Sequence, residues 1–211
     1  MQLNNLTLLL ESIPKNVNIV AATKYVDALD MLKLLEFGIA NFGENRVDVF
    51  LKKYEELKNK PIKWHFIGHL QTNKAKDVIN KIDYLHSLDS LKLAKIIDEN
   101  SLKPLNCFIE VNINDEENKN GVNYRYIDEF IQEVLKYKKV KIVGLMCMTK
   151  KDATSSEKYA TFLKLKEILE AINAKFNLDL KELSMGMSDD YLEAIKAGAT
   201  FIRLGRILWK Q

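Results

Sequence analysis

The sequence predicts an α/β fold, a single (β/α)8 TIM barrel, on three observations. About eight short apolar runs alternate with helical patterns over the whole chain, joined by a few residues each. A length of 211 residues suits one domain with a substantial core, near the lower size for eight such units. The last two strand exits carry Ser188 and Gly205, and the loops after the last two strands of such barrels are the usual seat of a phosphate group.

Residues 2–13 set Leu3, Leu6, Leu10 and Ile13 at helical spacing and stop before Pro14. Residues 17–23 form the first strand, closed by Lys24. Alternation puts Lys24 on the face of Ala22 and Val20, so if that face lines the barrel, the lysine stands at its catalytic end. A helix over 27–37 stops at Gly38, a second strand spans 39–43, and Glu44, Asn45 and Arg46 open a helix running to about Lys58. The third strand, 62–67, turns at Gly68, and Thr72 or Asn73 caps the next helix. A fourth strand (83–87) and helix (91–100) lead to the fifth strand, 105–113, where Phe108 and Glu110 alternate with Ile109 and Val111. Residues 114–123 are polar and read as the one long loop. The pattern then gives a helix over 124–138, a strand over 141–148 and an amphipathic helix over 155–173. Finally, residues 183–185 are a strand, Ser188 sits where a helix N-cap belongs, Gly198 ends that helix, and residues 201–204 are the last strand before Gly205.

Composition narrows the function. With 32 basic and 29 acidic residues the net charge is only +3, and the lysines are scattered, which argues against nucleic acid as a partner. Cys107 and Cys147 fall inside apolar runs without metal or redox spacing, as buried thiols of a reducing compartment do. No basic leader and no apolar run near the ~20 residues needed to span a bilayer is present. The expectation is a cytoplasmic protein without a membrane partner, monomeric, with residues 1–211 forming one domain.

Parallel strands bring their C-terminal ends to one mouth. Gathered there are Lys24, Asn45, the 68–74 loop, Ser87, Asn112, Met146, Ser188, Arg203 and Gly205. A lysine, a phosphate seat and an arginine in one mouth suggest a Schiff base to a phosphorylated aldehyde. Duller readings stand beside this one. Lys24 is also what a solvated strand end looks like, Arg203 is also a candidate ion-pair partner of Glu110 or Asp189, and His65, His69 and His86 lack metal spacing.

Seven segments carry a resemblance. They are Ala22-Thr23-Lys24, Phe42-Gly43-Glu44-Asn45, Trp64-His65-Phe66-Ile67-Gly68, Leu70-Gln71-Thr72-Asn73-Lys74, Gly144-Leu145-Met146, Leu183 through Asp190, and Ile202-Arg203-Leu204-Gly205. In this order the chain resembles the pyridoxal 5′-phosphate homeostasis proteins (the YggS or PROSC-like family). The resemblance implies a barrel similar to the N-terminal domain of alanine racemase, without the C-terminal β-domain. It implies that Lys24 holds pyridoxal 5′-phosphate (PLP) as a Schiff base. Ser188, Gly205 and the amide of Arg206 then match the phosphate cradle, Arg203 the arginine facing the pyridine nitrogen, and Asn45 a residue beside the ring. The loop with Lys119 and Gly121 resembles a mobile family segment. Position 206 is Arg where relatives commonly carry a small hydroxylated residue, so the amide remains and the hydroxyl is lost.

Arginine only donates, so a pyridine nitrogen facing it stays largely unprotonated and the ring is a weaker electron sink. The resemblance therefore implies a carrier or buffer of PLP that passes it to apo PLP-dependent enzymes. A low-activity amino-acid racemase is the alternative, with Tyr25, Tyr84 or Tyr191 as a second acid/base, and a class I aldolase is a third reading.

Overall fold

The computed structural model describes residues 3–115 and 120–209, the first three by backbone alone. Its parallel strands are β1 (Asn18–Ala22), β2 (Asn41–Glu44), β3 (Lys63–Phe66), β4 (Tyr84–Leu88), β5 (Leu105–Asn112), β6 (Val122–Asn123), β7 (Val140–Met146), β8 (Glu182–Ser184) and β9 (Phe201–Leu204). All but β6 form the barrel; that two-residue strand lies alongside the end of β5. The ring closes because β1 pairs with both β2 and β9 while β4 pairs with β5. Around it run α1 (Leu3–Ser12), α2 (Ala28–Glu36), α3 (Val47–Leu57), α4 (Ala75–Val78), α5 (Leu91–Asn100), α6 (Ile127–Val134), α7 (Ser155–Phe176), α8 (Tyr191–Ala197) and α9 (Arg206–Trp209).

Side-chain alternation divides the core in two. Outward residues such as Ala21, Phe42, Phe66, Leu85, Ile109 and Ile202 pack under the helices. Val20, Phe108, Met146 and Phe201 form a separate cluster inside the ring. The expected alternation on β5 holds, with Ile109 and Val111 in the outer core and Phe108 in the inner one. Gly144 is required where β7 meets β8: a Cβ there would stand 1.8 Å from the Glu182 carbonyl oxygen.

Several elements differ from the sequence reading. The loop over 114–123 ends in β6, whose Val122 pairs with Val111. Neither Thr72 nor Asn73 caps a helix; Thr72–Lys74 is a 3-10 turn leading into α4. Residues 124–126 are likewise a 3-10 turn, so α6 starts at Ile127. The α7 helix runs on to Phe176, opened by a Thr154–Glu157 capping box and closed by Asn177 in the left-handed conformation. Cys107 and Cys147 are free and buried, and burial pushes the Cys147 thiol up to about 12. Among the described residues no helix is long and apolar enough to cross a membrane.

Candidate functional site

The exits of β8 and β9 meet at the mouth of the barrel. The Met187 amide donates to Asp190 Oδ1 (2.6 Å) and Thr149 Oγ1 donates to Asp190 Oδ2 (2.7 Å). Asp190 therefore takes the position before α8, and Ser188 is not its N-cap. That correction releases Ser188 for another contact: its Oγ accepts the Gly205 N–H at 3.2 Å. A Cβ at Gly205 would meet only Ala22 Cβ, at 3.7 Å, so the barrel side of this backbone is open. The Arg206 side chain turns outward to pair with Asp189 at 2.5 Å, so only its backbone faces this turn.

Arg203, on β9, is buried at 5% exposure. Its Nη1 donates to the Ser184 carbonyl (2.9 Å) and Ser184 Oγ (2.7 Å), and its Nη2 to the Cys147 carbonyl (3.1 Å). Asp189 is thus not its partner, and neutral oxygens hold the guanidinium. Glu110 is inward on β5 and buried; burial first, then the Asp89 charge, raises its carboxyl to about 7, with Arg203 and His69 opposing. Asp89 itself pairs with His69 on the rim at 2.9 Å.

Lys24 reaches the mouth by its backbone. The register Ala21↔Leu204 puts Ala22 beside Gly205, two residues before Lys24. The strand ends at Ala22, however, and the Val26 N–H closes a turn on the Thr23 carbonyl at 3.2 Å. The exposed Lys24 side chain follows that turn outward, its Nζ 4.9 Å from the Tyr25 ring centroid, into a groove shared with Asp48 and Lys52. The structure thus brings Ser188, Gly205 and Arg203 together and leaves the Lys24 ammonium outside the ring. Asn45 follows β2, and its Oδ1 is buried without a hydrogen-bond partner. Gly68 packs against it so tightly that a Cβ there would lie 2.4 Å from the Asn45 carbonyl oxygen. Ser87 holds that turn from β4, its Oγ donating to the Gly68 carbonyl at 2.6 Å.

Sequence reasoning missed what supports Lys24 and Asn45. Lys53, from α3, pairs with buried Glu44 and donates to the Thr23 carbonyl at 2.5 Å. Thr23 Oγ1 donates to the same carboxylate at 2.6 Å, and the Asn45 amide donates to Glu44 Oε2 at 3.3 Å. One buried ion pair therefore grips the backbone before Lys24 and at Asn45. Of the tyrosines, Tyr84 stacks on His65 inside the barrel at 4.7 Å, Tyr25 is 83% exposed, and Tyr191 packs against the outer core. Lys119 lies outside the described residues. Among the described residues no His, Cys, Asp or Glu cluster is placed to hold a metal ion.

A family model described as alanine racemase, N-terminal domain, matches residues 3–211. A pyridoxal phosphate homeostasis protein of Synechocystis is 39% identical over 206 residues, covering 95% of this chain and 94% of that protein. Its Aquifex aeolicus counterpart is 38% identical over 194 residues, 90% and 85% of the two chains. This chain belongs to the pyridoxal phosphate homeostasis protein family. Among solved structures, PipY of Synechococcus elongatus without PLP superposes with a TM-score of 0.93 at 30% identity, covering 98% of both chains. The same protein with PLP bound gives 0.89 at 29% identity, again over 98% of both. Alanine racemase of Clostridium difficile, at 14% identity and a TM-score of 0.73 over 57% of its length, shares the fold.

Proposed function

We propose that this protein binds pyridoxal 5′-phosphate at the mouth of its barrel and serves intracellular PLP homeostasis as a carrier or buffer. The observation that carries this reading is the meeting of Ser188 Oγ and the Gly205 N–H beside Arg203, in a chain similar to PipY, which has a structure with PLP bound. The residues present fit the group. Asn45 Oδ1 is a buried acceptor without a donor, and the backbone over Gly205 is open on the barrel side. Ser188 and the amides of Gly205 and Arg206 would hold the phosphate, Asn45 would lie beside the ring, and Arg203 would meet the ring nitrogen. Bound PLP supplies an electrophilic aldehyde, and Lys24 would be the amine that condenses with it after its side chain turns inward.

Arg203 only donates and sits among neutral oxygens, which favours holding the cofactor over strong amino-acid chemistry. In this reading residues 1–211 act as one binding domain in the cytoplasm, and apo PLP-dependent enzymes receive the cofactor. The buried free thiols of Cys107 and Cys147 suit that compartment. The test is an absorbance spectrum after incubation with PLP, then borohydride reduction and peptide mapping beside Lys24→Ala. A reduced adduct on Lys24 and none in the variant is expected. An unmodified Lys24 after that treatment would sink the reading.

A further inference from the structure

A line of polar groups runs down the interior of the barrel beneath Arg203. Arg203 Nη1 meets Ser184 Oγ at 2.7 Å, and Ser184 Oγ meets His86 Nδ1 at 2.8 Å. His86 Nε2 meets His65 Nδ1 at 2.9 Å, and His65 Nε2 meets Asn41 Oδ1 at 3.1 Å. Ser184, His86 and His65 are all fully buried. The rings are clamped as well, His86 against Phe108 at 4.4 Å and His65 against Tyr84 at 4.7 Å.

Donor and acceptor chemistry gives this line a direction from either end. A guanidinium only donates, so Ser184 Oγ accepts from Arg203 and has its own proton for His86 Nδ1. At the other end the Asn41 oxygen only accepts, so His65 carries its proton on Nε2 and is bare at Nδ1. His86 must then donate from Nε2, which again leaves its Nδ1 bare for Ser184. Both rings are neutral in this arrangement, and burial pushes His65 down to about 3 and His86 well below the ordinary value.

We propose that His65 and His86 are positioning residues: with Ser184 they form a one-way chain of donors from Arg203 to Asn41 that fixes how the guanidinium faces the barrel mouth. Turning the Ser184 hydroxyl toward His86 keeps its lone pair on Arg203. Without that acceptor the hydroxyl proton is free to turn toward the guanidinium, and the anchor weakens. The sequence alone gives no hint of this, since His86 and Ser184 are 98 residues apart.

The first arm of the test needs no cofactor. Long-range proton–nitrogen spectra of the intact protein, labelled at the histidine nitrogens, are recorded from about pH 5.5 to about 8.5, where an ordinary histidine titrates. Both buried rings should be protonated at Nε2 and bare at Nδ1 throughout. A proton on His86 Nδ1, or a buried ring that titrates, overturns the chain. The second arm rests on the PLP reading and compares PLP affinity in His86→Phe, Ser184→Ala and the double variant. Each single change should weaken binding by about tenfold, and the double by no more than about twofold beyond the worse single, because both break one link. Multiplying losses, or no loss in either variant, would overturn the positioning role. Failure of the wild-type protein to take up PLP would instead count against the cofactor reading, with the tautomers deciding the chain on their own.

Discussion

At the scale of single residues, two neighbours of the cradle should part company. Ser188 turns its hydroxyl to the Gly205 amide, whereas the Arg206 guanidinium is spent on Asp189 at the surface. Ser188→Ala is expected to weaken PLP binding by about tenfold, the scale of one hydrogen bond to a charged group, and Arg206→Ala by less than about twofold. Titration of the absorbance band with each variant decides it; equal losses would assign the Arg206 side chain a place in the cradle. Ser188 also shows where the sequence was readable and where it was not. Its part in the mouth followed from strand order and the glycine after β9. Its part as a helix cap did not survive, because Asp190 bonds back to Met187 and starts the helix later. Lys24 is similar: alternation held as far as Ala22, where β1 ends, and the turn then carried the side chain outward.

At the scale of elements, the ends of β1 and β2 are tied to α3 by a single buried pair. Lys53 and Glu44 are 6% and 1% exposed, and each also serves the backbone of the β1 or β2 exit. Lys53→Met leaves the Glu44 charge buried without its counter-ion, which costs about 3–5 kcal/mol. Replacing both, with Glu44→Leu added, should recover part of that loss in denaturant unfolding. A double variant less stable than Lys53→Met would contradict this account. The eight barrel strands were legible because apolar periodicity switches cleanly between strand and helix. The register that pairs Thr23, Glu44 and Lys53 was not, since it is set by how the ring closes and leaves no mark on local pattern. The two-residue β6 was hidden for the same reason: Val122 is a strand residue only because Val111 lies beside it.

At the scale of the whole molecule, the barrel interior should set the pH dependence of stability. His65 and His86 have folded pKa values below the ordinary 6.5, so the unfolded chain binds more protons there and stability falls as pH drops below about 6.5. Glu110 is raised to about 7, so the folded state holds its proton and stability falls as pH rises from about 4.5 toward 7. Between about pH 4.5 and 6.5 the two histidines and Glu110 therefore pull stability in opposite directions. Glu110→Gln should steepen the rise of stability with pH by up to about 1.4 kcal/mol per unit in the same window. Denaturant midpoints measured across the window check both slopes, and a slope unchanged by the substitution would remove Glu110 from the balance.

The pairing of β1 with β9 makes the first and last barrel strands neighbours, and Trp209 Nε1 donates across that seam to the Ala22 carbonyl at 3.2 Å. Lys24 follows one side of the seam and Gly205 the other. A ligand gripped by both would act as a clasp on the ring, so that opening the barrel and releasing the cargo become one event. A carrier built this way would lose its grip as soon as its two ends part.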